Sequence, residues 1–138
     1  IDEGPILFQN DVEVLDNYSS NVYEALLEDF IRSFKSIDFK SPLQIQEGNV
    51  SVTTKFVKTD YMISKEDTIY EAKNKIKAFD ILGPAYIQYD SKIIKIHKYT
   101  ENNSNFTYEL KDGLLYLDEI TPEGKKRMKA NDYMRGLQ

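Results

Sequence analysis

The 138-residue chain contains no cysteine, no tryptophan and a single histidine, and no stretch of it approaches eighteen consecutive apolar residues. Without thiols there is no disulfide scaffold, no thiolate metal site and no cysteine nucleophile. One histidine cannot supply the paired imidazoles of a zinc-protease helix, and no phosphate-binding glycine loop, nucleophile elbow, calcium loop or dinucleotide fingerprint is present. The short apolar runs exclude a spanning helix, and no signal-peptide pattern opens the chain. A formal charge of −5 argues against the whole protein binding nucleic acid, which requires a positive field, although a local basic patch stays open. The chain starts at Ile1-Asp2-Glu3-Gly4 without methionine, so the expectation is a processed or trimmed piece with an anchor upstream.

What is abundant is Ile, Lys, Asn, Asp and Tyr, a usage suggesting an AT-rich genome such as that of a low-GC Gram-positive bacterium, its plasmid or its phage. Four N-x-[ST] sequons, at Asn17, Asn49, Asn102 and Asn105, are taken as chance products of an Asn-rich chain.

Periodicity supplies the elements. Ile6-Leu7-Phe8 and the alternation of Val12 and Val14 read as a strand or a leader. Val22, Leu26, Phe30 and Phe34, widened by Leu27 and Ile31, predict a helix over about 20–37 with a core face and a Ser19 or Ser20 cap. Leu43, Ile45, Val50, Val52 and Phe56 alternate around Glu47-Gly48-Asn49 and predict a hairpin. A second helix is expected over 65–82, capped by Ser64 and ended by Gly83-Pro84, burying Ile69, Ala72, Ile76, Phe79 and Leu82. Two strands follow around Asp90-Ser91. Phe106, Tyr108 and Leu110 then face the same way as Leu115 and Leu117, across a two-residue turn placed at Asp112-Gly113. Thr121-Pro122 predicts the start of a final basic helix, 121–136.

Residues 36–52 echo 78–94 at an offset of 42: Asp38 with Asp80, Pro42 with Pro84, Ile45 with Ile87 and Gln46 with Gln88. The expected fold is therefore a single α+β domain over 1–138, with helices on one face of an antiparallel sheet, cystatin-like or NTF2-like. A duplicated helix-hairpin unit, 20–57 and 64–100, followed by the 105–120 hairpin, is compatible with the echo.

The segment 63–126 resembles PepSY domains. "ISKEDTIYEAKNKI" matches their capped, acid-headed helix, and "FTYELKDG" followed by "LLYLDEITPEGK" matches their closing strands. Tyr108, Leu110, Asp118, Thr121 and Gly124 fall on that pattern, while Pro122-Glu123 departs from it. The resemblance implies a cystatin-like, secreted or membrane-tethered module that binds, inhibits or regulates without catalysis.

The search for chemistry is spare. His97 stands on a strand between Lys95 and Lys98 with no second ligand or nucleophile in its pattern. The acid pairs Glu28 and Asp29, Glu66 and Asp67, and Asp118 and Glu119 diverge on helix or strand and do not converge by themselves. Two binding surfaces are expected: a tyrosine face of Tyr86, Tyr89, Tyr99, Tyr108 and Tyr116, and an electrostatic tail of Lys125, Lys126, Arg127, Lys129 and Arg135. No catalytic residue, metal or cofactor is assigned.

The expected function is thus a non-enzymatic, extracytoplasmic binding or assembly domain of an envelope-associated lipoprotein or secreted protein with a protein partner. Three alternatives stay open: an NTF2-like domain of conjugation or sporulation machinery; a small hydrolase or isomerase using Asp38 or Asp80; and a phage or plasmid accessory protein with a nucleic-acid-binding tail.

Overall fold

In the computed structural model the described residues are 4–137; the opening Ile1-Asp2-Glu3 and Gln138 lie outside them. The chain divides into two compact units, 1–55 and 56–138.

Unit 56–138 is organised from one well-capped helix. Thr68 Oγ1 accepts from Glu71 N at 3.2 Å while the Glu71 carboxylate accepts from Thr68 N at 2.8 Å, a reciprocal capping box. Asp112 Oδ1 accepts from Ile69 N at 2.7 Å and satisfies a further orphan donor. Helix α2 therefore spans Ile69–Ala78 and not 65–82. Ser64 instead heads a separate turn, in which its Oγ accepts from Glu66 N and Asp67 accepts from Ser64 N. Ala72, Ile76 and Phe79 are buried as expected, whereas Leu82 is exposed. The helix stops before it: Gly83, at φ +136°, donates back to Phe79 O.

Five strands follow, β1 (Tyr86–Tyr89), β2 (Lys92–Thr100), β3 (Thr107–Leu110), β4 (Gly113–Pro122) and β5 (Met128–Lys129), in the spatial order β1-β2-β4-β3 with β5 beside β4, all antiparallel. Asp90 and Ser91, with φ of 45° and 63°, form the left-handed two-residue turn between β1 and β2. Between β3 and β4 the turn falls on Lys111-Asp112, one residue earlier than predicted, since Leu110 pairs with Gly113. Gly113 opens β4 at φ +152°, and a Cβ there would lie 2.9 Å from Ile69 Cδ1, so conformation and room both require glycine. The apolar face is the predicted one: Phe106, Tyr108, Leu110, Leu115 and Leu117 are all buried.

The sheet curls. The Tyr89 ring on β1 meets Phe106, which leads into β3 at the opposite edge, with centroids 4.9 Å apart. Part of the gap between those edges is bridged by residues 62–67, where Ile63 N donates to Tyr86 O at 2.8 Å and Lys111 N donates to Asp67 O at 3.1 Å. Ile87, Ile94, Ile96, Leu117 and Ile120 are fully buried in this sheet, and α2 packs against it through Ala72 and Ile76.

The expected helix from Thr121 does not form. β4 runs on to Pro122, Lys125 N donates to Pro122 O at 2.9 Å, and Gly124 takes φ +71°, which closes a turn in place of a first helical turn. Only after β5 does a short helix, α3 (Ala130–Arg135), appear.

Unit 1–55 holds one helix, α1 (Ser19–Phe34), following Tyr18 with no side-chain cap. Its predicted core face is not buried: Leu26, Leu27, Phe30, Ile31 and Phe34 are 43–59% exposed, and none of residues 4–55 is buried. The 43–56 hairpin is absent too. Gln44 instead exchanges two backbone hydrogen bonds with Ile6, at 2.7 and 2.8 Å, and Val50 and Val52 stand exposed. Of the two echoing segments, only 78–94 forms strand, turn and strand. The α+β class with an antiparallel sheet and a packed helix stands.

Candidate functional site

Outward-facing positions of β2 and β4 meet around a shallow hollow of about 280 Å³ that includes Ile93, Lys95, Thr121 and Lys125. Alternation puts Ile94 and Ile96 into the core and turns Ile93, Lys95 and His97 outward, and the register sets Lys95 against Thr121. Beside the hollow, His97 Nε2 and Thr121 Oγ1 are hydrogen-bonded at 2.8 Å. Burial, and then the positive charge of Arg127, hold the imidazole below its usual range and so favour its uncharged form. Glu123 is tied down as an acceptor from Ile93 N at 3.1 Å. Lys95 has no carboxylate partner among the described residues, and Lys125 lies over the Tyr133 ring at 5.2 Å. Lys95, Lys125, Thr121 and the Glu123 carboxylate thus line one hollow, with the imidazole beside it, a mixed polar surface in which the lysines outnumber the acid.

The basic tail is largely neutralised. Arg127 and Lys129 pair with Glu119, Lys129 also reaches Asp118 at 3.1 Å, and Arg135 pairs with Asp132. Asp118 and Glu119, expected to diverge, therefore do meet, through one flexible ammonium. The hydrogen bonds that Glu119 accepts from Arg127 and Lys129 hold its carboxyl down at about 2. A depressed folded-state value means that this stabilisation is complete above the unfolded value near 4.5 and is lost as pH falls from there toward 2. Glu119→Gln is expected to remove about 1 kcal/mol at pH 7, a figure kept small by solvent screening. The same substitution should flatten the fall in melting temperature between pH 5 and 2; an unchanged acid limb would refute the pairing.

The predicted tyrosine face does not exist as one surface. Tyr108 is buried, Tyr89 packs on Phe106, and Tyr99 carries the Lys73 ammonium at 5.0 Å, while Tyr86 and Tyr116 are partly buried. The other acid pairs are structural: Asp29 accepts from Asn10, and Asp67 from Lys75. Asp38 accepts from Lys40 N and Ser41 in its own loop. No group of three or more potential metal ligands occurs among the described residues. Lys95 is not among the expected site residues, and Thr121 reads from the sequence as a helix start. Alternation of Ile93, Lys95 and His97 against buried Ile94 and Ile96 is the signal that locates them.

Charge is unevenly shared. Residues 56–138 hold 14 Lys and Arg against 13 Asp and Glu, a net +1, and residues 1–55 hold 4 against 10, a net −6. The global −5 thus conceals a near-neutral sheet unit.

No family model matches the chain. It is similar to the methionyl-tRNA formyltransferase of Rickettsia prowazekii, with 24% identity across 99% of the chain and 50% of that protein. To the methionyl-tRNA formyltransferase of Mycoplasmopsis pulmonis it is 32% identical over 97 residues, 68% of the chain and 33% of the relative. Its fold is that of part of HypX from Aquifex aeolicus, at a TM-score of 0.65 and 15% identity over 99% of the chain and 28% of HypX; another structure of HypX is a complex with tetrahydrofolic acid. The chain spans about half the length of such full-length matches.

These findings overturn the PepSY and cystatin-like kinship, the non-enzymatic reading with its assembly-domain and phage-accessory alternatives, and the rival carboxylate hydrolase: similarity along nearly the whole chain is to methionyl-tRNA formyltransferases. The extracytoplasmic, lipoprotein setting falls with them, because the relatives act on a charged tRNA. No helix among the described residues is long and apolar enough to cross a membrane. The capped helix and alternating strands that suggested PepSY are generic to small α+β units, so the likeness lay in local chemistry and not in descent.

Proposed function

We propose that the chain is one portion of a formyltransferase that moves a formyl group from a formylated tetrahydrofolate to the amino group of an aminoacylated tRNA. The observation carrying this is the alignment of 99% of the chain with methionyl-tRNA formyltransferases. In the reaction the acceptor amine attacks the formyl carbon, the new amide C–N bond forms, the bond from that carbon to the folate nitrogen breaks, and a proton passes from the amine to that nitrogen.

The hollow of about 650 Å³ beside Ile6, Leu43 and Ile45 is open, with Leu43 and Ile45 53% and 76% exposed, whereas a cofactor site buries most of its ligand. The part of this chain is acceptor binding: Lys95 and Lys125 offer two phosphate contacts on the outer face of the sheet, with the Thr121 hydroxyl beside them. A nucleic acid, which the overall charge argues against, becomes a partner of unit 56–138 alone.

The test is formyl transfer by the full-length polypeptide, supplied with formyl-tetrahydrofolate and methionyl-tRNA. Formyl-methionyl-tRNA should accumulate, and Lys95→Ala with Lys125→Ala should weaken tRNA binding about tenfold and lessen the salt slope by about 1.5 to 2. Absence of formyl transfer would refute the activity. Unchanged tRNA affinity in the double variant would refute the role of this face.

A further inference from the structure

The geometry points to a binding slot for a short extended peptide in the open part of the sheet's seam, between β1 and β3. In an antiparallel ladder alternate residues turn their N–H and C=O away from the partner strand. Ile96 N donates to Ala85 O, so the bonded pairs of β1 and β2 are 85/96, 87/94 and 89/92, and Tyr86 and Gln88 point outward. Leu117 N donates to Phe106 O, so 106/117, 108/115 and 110/113 are bonded, and Thr107, Glu109 and Lys111 point outward.

Two of these five outward positions are filled by the chain itself. Residues 62–67 lie in the seam, bonded to Tyr86 O on one side and to Lys111 N on the other. Ile63 and Asp67, at the two ends of the turn over 64–67, thus reach the two edges. At Ser64 the segment turns away, held by the Asp67 carboxylate on Ser64 N at 2.9 Å and by Lys75 on Asp67 at 2.7 Å. Beyond that turn the seam is vacant. The outward backbone groups of Gln88, Thr107 and Glu109 have no partner among the described residues, and they line a hollow of about 360 Å³ with Tyr89, Tyr108 and Lys65.

Unpaired ladder groups on both walls recognise an extended polypeptide backbone, which can bond to two edges at once. The slot takes about three residues, the span from Thr107 to Glu109. Tyrosine and leucine carbons give its walls apolar area. This site is on a different part of the sheet from the Lys95 hollow and does not depend on formyl transfer.

The probe is acetyl-Val-Thr-Val-Thr-Val-amide, titrated into the ¹⁵N-labelled 138-residue chain. Chemical shifts and slowed amide exchange are expected at Gln88, Thr107 and Glu109. Thr107→Pro removes one outward donor while leaving the β3–β4 ladder intact, and should weaken binding about tenfold without changing the melting temperature. If that variant misfolds, the same peptide N-methylated at alternate residues tests the claim on the unaltered protein and should not bind. No shift at millimolar peptide, or equal binding of the N-methylated form, would overturn the proposal.

Discussion

Leu117→Ala is expected to destabilise the chain by about 3 kcal/mol, lowering the melting temperature of unit 56–138 by about 15 °C or more. Leu117 is 0% exposed near the middle of β4, paired with Tyr99 on β2, and its N–H donates to Phe106 O at 3.0 Å. It therefore sits where β2, β4 and the entry to β3 meet. Ile94, Ile96 and Ile120 are equally buried around the same sheet, so removal of three carbons leaves a void that a curled ladder has little freedom to collapse. Leu114, on the same strand but 45% exposed, is the control, and its truncation should change stability by less than about 0.5 kcal/mol. Thermal denaturation followed by circular dichroism distinguishes them. Equal losses at the two positions would mean that the curled sheet is not the core.

The second large effect depends on how much polypeptide is present. Phe30→Ala should cost no more than about 1 kcal/mol in the 138-residue chain, the worth of an exposed ring pair. In the longer formyltransferase proposed above it should cost about 3 kcal/mol or more. Phe30 is 52% exposed, meets the Phe34 ring at 5.5 Å, and belongs to a stripe with Leu26, Leu27 and Ile31 that the described residues leave 43–59% exposed. A stripe of that width at helical spacing has the character of an internal face, and the chain covers 50% of a relative that it matches along 99% of its own length. The inference is that the remainder of such an enzyme covers α1. Urea titrations of the two forms give the measurement. A small cost in both would show that the stripe stays at the surface, and a large cost in both would show that the chain buries it unaided.

Part of the sheet unit was legible in the residues because its causes are local. Alternation over 106–117 named the buried face of β3 and β4, and Ala72, Ile76 and Phe79 were recognised from helical spacing alone. Caps were less secure. Ser64 and Thr68 are both good cap residues, and the choice fell to Thr68 because Glu71 completes its box and Asp112, distant in sequence, binds Ile69 N. The same contact explains the slipped turn, since Asp112 serves α2 from Lys111-Asp112 while Gly113 supplies the clearance that Ile69 needs. Thr121-Pro122 carries a sound helix-start signal, yet tertiary pairing of β4 with β2 extends the strand through both residues.

The sequence by itself determined that there is no thiol or paired-histidine chemistry, that the chain is α+β, and which side chains of the β3–β4 hairpin point inward, since each follows from residue type or from a period of two or 3.6. The curl of the sheet, the partial filling of its seam by residues 62–67, the meeting of Lys95, His97, Thr121 and Lys125, and the exposure of α1 were decided only in the tertiary structure. Periodicity tells that a face is apolar or charged; what lies against it depends on residues far away in the chain.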